Sequence, residues 1–233
     1  MSTELSPLEH VKAYFADNER PRAIRALRSY YATGHHYTGS AFDSIIARTR
    51  RDRFSSDDVL AVSMLSVTVP PRAALHLLDN ADVENLLAEI PTDASIWKQP
   101  ELLDRSSPAW QLSALVSDLR GVGETITSKL LAAKRPELVP VFDRHVSAAL
   151  GLPRSRWGFW QQVAGADADH ALLKSIRSAR DEAGVPHTVS ALRTVDVVVW
   201  MREHGWKRHV GRCGLGCDFA GFENPMRLQR GRG

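Results

Sequence analysis

Leu115-Val116-Ser117-Asp118-Leu119-Arg120-Gly121-Val122-Gly123-Glu124-Thr125-Ile126-Thr127-Ser128-Lys129-Leu130-Leu131 is the stretch on which the reading of the fold turns. Leu115, Val116 and Leu119 close one amphipathic helix, and Ile126, Leu130 and Leu131 begin the apolar face of another. Between them Gly121-Val122-Gly123 makes a tight turn, so the segment predicts a helix-hairpin-helix whose second helix runs over 124–134. A sharp turn needs backbone conformations free of a Cβ penalty, and bare backbone lets a phosphate come close. The N–H groups of the turn and of the second helix's first residues lack intrahelical acceptors and point outward, free to bind phosphate oxygen. Such contacts give affinity without reading base sequence. A packed helix pair that binds nothing uses the same Gly-hydrophobic-Gly, so the motif alone leaves both readings open.

Working outward, the punctuation predicts helices almost everywhere. Ser6-Pro7-Leu8-Glu9 combines an N-cap, a first-turn proline and a capping-box glutamate, so a helix starts near Pro7. A second runs from Pro21 to Tyr31, with Ile24, Leu27, Tyr30 and Tyr31 at i, i+3, i+6, i+7 spacing. Ser40 caps a short helix through Ile45 and Ile46, and Ser55 with Asp58 caps another that ends before Pro70-Pro71. Further helices are expected over 72–78, 83–90, 108–119, 144–150, 168–182 and 189–204. Alternating strand patterns are nearly absent, so the fold class is all-α. The prolines and polar residues of 91–107 are the best candidate for a joint between an N-terminal helical region, 1–100, and a second helical region, 101–204, and read equally as one long surface loop.

The residues beyond the hairpin sharpen the reading. Leu138-Val139-Pro140-Val141-Phe142-Asp143-Arg144-His145-Val146 is an extended apolar stretch ending at an aspartate that opens a new helix, and Asp143 stands 20 residues after Gly123. Residues 114–152 thus resemble the helix-hairpin-helix DNA glycosylase superfamily, whose members place hydrophobic-Pro-hydrophobic-Asp-x-His-Val after a Gly-hydrophobic-Gly hairpin at similar spacing. The resemblance implies that Asp143 is the catalytic carboxylate, holding a negative charge beside the cationic sugar that forms as the glycosidic bond breaks. The residue is also read simply as an N-cap, and family members use a capping aspartate for catalysis, so the two roles are compatible. Thr125 stands where bifunctional members carry a Schiff-base lysine, which implies a monofunctional enzyme, and Thr127 replaces a usual small residue. The four-cysteine cluster of many relatives has no counterpart, because the chain has two cysteines.

The partner implied is double-stranded DNA, held by its phosphate backbone at Gly121, Val122, Gly123, Thr125 and Thr127, with Lys129 and Lys134 facing phosphate or solvent from the second helix. A base flipped from the stack would be hydrolysed off with the help of Asp143. The alternative is a non-catalytic DNA-binding module that keeps the hairpin and has lost the pocket. No cofactor is called for.

Composition agrees with an ordinary globular protein: 233 residues, 43% hydrophobic, 24% charged. Net charge is only +3, yet residues 202–233 hold seven Lys/Arg against three Asp/Glu, on a near-neutral body. A basic, glycine-rich tail over 205–233 fits either an anionic partner or a solvated end. Within it His204, His209, Cys213 and Cys217 have zinc-ligand chemistry but match no standard finger spacing, so free thiols are the reading adopted and no metal is assigned. Tyr30, Tyr31, His35, His36 and Tyr37, beside Arg25 and Arg28, offer stacking surfaces for a base or, more simply, core packing. Trp157, Phe159 and Trp160, among Arg154 and Arg156, pose the same choice. Asp196, in the apolar run from Val195 to Trp200, has the reading of a buried functional acid open to it, but at helical spacing it is read as facing solvent or pairing with Arg193. Met1–Glu9 shows no secretory pattern and no apolar stretch is long enough to span a bilayer, so a cytoplasmic protein is expected, with no membrane partner.

Overall fold

Ser6 accepts a hydrogen bond from the Glu9 N–H while the Glu9 carboxylate accepts from Ser6, and this capping box, with Pro7 in the first turn, starts α1 (Pro7–Lys12). The computed structural model describes residues 5–32, 37–153 and 155–205. Among them α1 is followed by α2 (Arg20–Tyr30), α3 (Ser40–Ile46), α4 (Ser56–Met64), α5 (Pro71–Leu78) and α6 (Ala81–Glu89). After a 3-10 turn (Pro100–Leu103) come α7 (Pro108–Ser117), α8 (Glu124–Lys134), α9 (Arg144–Ala149), α10 (Arg156–Ala166), α11 (Ala171–Glu182) and α12 (Ala191–Trp200), ending in a π-helical turn (Met201–Gly205). The described residues contain no strand, so the fold is all-α. None of these helices is long and apolar enough to cross a membrane.

Two helices sit at the centre. α8 is buried from Thr127 to Lys134 and packs against α3, α4 and α7; α12 is buried from Ala191 to Val199 and packs against α2, α9 and α11. One cluster of buried apolar side chains runs from Val11 to Met201. The stretch 91–107 carries Ala94, Ile96, Trp97 and Leu103 into that cluster, and Ile96 donates its N–H to Glu137 O. The core is therefore continuous across the joint marked by the prolines.

Local chemistry accounts for most element ends. Ser55 and Asp58 form the expected capping box of α4, and Ser190 caps α12. Pro70 and Pro71 do more than stop a helix: they begin α5. Asp167 accepts the N–H groups of Leu172 and Leu173, which sets the start of α11 three residues later than the periodicity suggests. α10 has no counterpart in the predicted elements. It buries Trp157, Phe159, Trp160, Val163 and Ala164 around much of its circumference, and Gly158 and Gly165 interrupt it, so no single apolar face marks it in the sequence.

Candidate functional site

The site is built on the α7–α8 pair and the segment after it. The two helices pack together and are joined by residues 118–123. Gly121 takes φ +84°, in the left-handed region, so the turn needs glycine there for its backbone. Gly123 is different: its backbone is extended at φ −98°, and an added Cβ would meet nothing within 4 Å. What Gly123 supplies is open space in front of the helix. Val122, 5% exposed, anchors the turn in the core. Gly121, Gly123, Glu124 and Thr125 are exposed. No side chain caps α8, and the N–H groups of Gly123, Glu124 and Thr125 have no acceptor among the described residues. They present three donors at the positive end of an eleven-residue helix.

The lysines of α8 do not join them. Lys129 is 3% exposed and donates to Leu65 O at 2.8 Å. Lys134 is fully buried, ion-paired with Asp58 and bonded to Arg50 O. Neither faces phosphate or solvent, which corrects the expectation, and the reason is burial: a helix packed on several sides has no solvated face for a cation. Thr127, 2% exposed, is likewise inside. The run Leu130-Leu131-Ala132-Ala133 carried that signal, since a helix apolar on consecutive positions is buried all round. Sequence reading also passed over Arg120, an exposed cation within the turn, and Arg135. The Arg135 guanidinium is buried and donates to Leu87 O and Ile90 O at the end of α6, and to Arg51 O and Lys134 O. Burial, reinforced by Arg51, brings its pKa down to about 10.

Asp143 is the N-cap of α9. Its Oδ1 accepts the N–H groups of His145 at 2.7 Å and Val146 at 3.4 Å, while Oδ2 has no donor among the described residues, and the side chain is half-buried. The extended stretch before it is fixed by Ser128, whose Oγ accepts the Phe142 N–H at 3.0 Å. A helix-borne hydroxyl on α8 thereby sets the position of Asp143 relative to the turn.

Behind Asp143 lies an ionic network centred on Arg193 of α12. The guanidinium pairs with Asp196, reaches Asp43 at 3.4 Å and donates to Tyr30 Oη at 2.7 Å and Gly39 O at 3.0 Å. Tyr31 donates to Asp43 at 2.8 Å. Asp196 is therefore buried and paired with Arg193, and its Oδ1 has no partner among the described residues. Burial pushes the Asp196 carboxyl up to about 6 against the pull of Arg193, and the Asp143 charge adds to the rise. Lys129 is held below its ordinary value by burial, opposed by Asp196 and Asp143. These two shifts put Asp143, Lys129 and Asp196 within electrostatic reach of one another.

The remaining candidates sort cleanly. Tyr30 is buried, stacked on Tyr37 at 5.3 Å and edge-on to Tyr31 and Trp200, so core packing is the role observed. Trp157, Phe159 and Trp160 are buried as well. His35, His36, Arg154, His209, Cys213 and Cys217, with the side chain of His204, lie outside the described residues. Among the described residues no cluster of three or more His, Cys, Asp or Glu could hold a metal.

The chain belongs to the family described as "Family of unknown function (DUF6308)", whose family model matches residues 23–203. That span includes the turn, Asp143 and the Arg193 network. No curated protein matches the chain, and no solved structure does.

Proposed function

We propose that the chain binds double-stranded DNA through its phosphate backbone at a helix-hairpin-helix formed by α7 and α8, and that it is a monofunctional N-glycosylase-like enzyme in which Asp143 assists release of a base. The observation that carries the reading is the combination of three uncapped N–H donors at an exposed turn with a capping aspartate, 20 residues on, that keeps one carboxylate oxygen open. The donors suit phosphate oxygen. The open oxygen suits a reaction in which the base leaves with the electron pair of its glycosidic bond and water adds to the sugar carbon. Asp143 would offset the positive charge on the sugar and receive the proton released by that water, and the departing base would take up one proton from solvent, so that water is added across the bond. The buried ammonium groups of Lys129 and Lys134, with Thr125 at the turn, leave α8 no exposed amine for a covalent lyase step.

A second reading, a DNA-binding module without catalysis, is favoured by one feature: the cavity next to Phe142 does not include Asp143 in its lining. The test is a panel of duplexes bearing deaminated, alkylated and oxidised bases. The wild-type protein should release a free base from one class and leave an intact abasic strand with no borohydride-trapped adduct. Asp143→Asn keeps the cap acceptor and should lower release by about a hundredfold or more while duplex affinity stays within about twofold. Duplex binding with no Asp143-dependent release from any substrate selects the second reading.

A further inference from the structure

α10 starts on a cation. Arg156 is its first residue, its first turn holds no acid, and Ser155 in front of it makes no side-chain cap. The first turn of a helix carries partial positive charge, so a guanidinium there opposes the macrodipole, and helix stability does not account for Arg156. The contacts of its side chain do not account for it either. The guanidinium pairs with Glu124, the first residue of α8, at 3.4 Å, and lies 5.3 Å from the ring centre of Phe142, the residue before Asp143. The side chains of the pair are 26% and 56% exposed, and an ion pair that open to water contributes little to stability. Arg156 therefore stands between the start of α8 and the segment that carries Asp143, reachable from solvent and only weakly paired.

The chemistry of that position points to phosphate. The starts of two eleven-residue helices, α8 and α10, both without a side-chain cap, come together at Arg156. Against this positive charge stands the Glu124 carboxylate, on an exposed and flexible side chain that can turn away at small cost. A guanidinium is planar and permanently charged, and its paired donors match two phosphate oxygens as well as they match a carboxylate. We propose that Arg156 contacts a backbone phosphate of the strand lying between the turn and Asp143, and that Glu124 holds that phosphate's place in the free protein. The proposal rests on the DNA-binding reading above and adds to it a residue of α10 and an exchange of anions: the phosphate displaces the Glu124 carboxylate, which turns to water.

The test is a double-mutant cycle on affinity for a labelled blunt duplex of about fifteen base pairs, read by fluorescence anisotropy at low salt, with Glu124→Gln, Arg156→Gln and both. Glu124→Gln should tighten binding by about threefold or more, since it frees the guanidinium and removes a charge that repels phosphate. Arg156→Gln should weaken binding by about threefold in the wild-type background and by about tenfold in Glu124→Gln, where no ion pair has to be broken first. It should also lower the salt slope by about one, and Arg156→Lys, which keeps the charge, should restore that slope. A cation that only neutralises Glu124 gives the opposite coupling: Arg156→Gln would then weaken the wild type by uncovering the carboxylate and change nothing in Glu124→Gln. A loss no larger in Glu124→Gln than in the wild type therefore overturns the assignment of Arg156 and leaves the DNA-binding reading standing. Absence of duplex binding in the wild type and in Glu124→Gln alike overturns both.

Discussion

The two central helices bury their charges in opposite ways. At the end of α8 the buried groups are mostly cations: Lys134 has one acid, Asp58, and Arg135 spends its donors on backbone carbonyls of α6 and of residues 51 and 134. Along α12 the balance is acidic, with Arg193 between Asp43 and Asp196 and the half-exposed Asp143 within electrostatic reach. The first arrangement is a fastening, since guanidinium and ammonium donors satisfy carbonyls that a helix end leaves bare. The second keeps a carboxyl near neutral pH in reach of a carboxylate that water can touch, which is how titrating sites are built. The difference teaches where on this chain to look for chemistry: at α12 and α9 rather than at the lysines of α8.

The sharpest way to break the comparison is to remove a fastening cation. Lys134→Met leaves Asp58 buried without its cation and should cost about 3–5 kcal/mol in denaturant unfolding, of which only a part is recovered when Asp58 is also made apolar, because that change removes the Ser55 capping box too. A loss under about 1 kcal/mol would mean that the pair is not the staple described. Next in size is Gly39→Ala. An added Cβ would stand 2.0 Å from Tyr30 Oη, inside the Arg193 network, so a loss of about 2 kcal/mol is expected, whereas Gly123→Ala, facing open space, should stay within about 0.5 kcal/mol of wild type. Equal effects at the two glycines would contradict the packing around Tyr30.

A smaller effect reports on the acidic side. Asp196 titrates near 6 in the fold, above its ordinary 3.8, so the folded chain takes up a proton between pH 7 and 5 that the unfolded chain does not. The sign is then fixed: stability rises as pH falls through 6, by on the order of 1 kcal/mol from this group, and Asp43, also raised by burial, pushes the same way. Unfolding curves at pH 7 and 5 should show this gain in the wild type and a smaller one in Asp196→Asn. Identical pH slopes would remove Asp196 from the account.

How much of this the sequence discloses depends on the kind of signal. The α8 boundaries, the Ser6 and Ser55 capping boxes and the Asp143 cap are all legible, because a cap is written in residues that touch one another along the chain. α10 is not, because burial around most of a helix erases the period that betrays it. Lys129 and Lys134 look like solvated cations until Leu65, Arg50 and Asp58 arrive from α4 and the residues on either side of it, more than sixty positions away. The pairing of Arg193 with Asp196 is within reach of helical spacing, and its extension to Asp43, Tyr30 and Gly39 is not, since those partners come from elements 150 or more residues earlier.

The most direct measurement of the central claim is a duplex titration over a range of salt with the wild type and Gly123→Asp. Position 123 is exposed and free of Cβ contacts, so the substitution should leave the melting temperature nearly unchanged and place a negative charge in front of the three free N–H groups. The account predicts affinity that falls steeply with salt in the wild type, and a loss of about tenfold or more with a shallower salt slope in Gly123→Asp. Equal affinities and equal slopes for the two proteins would contradict it.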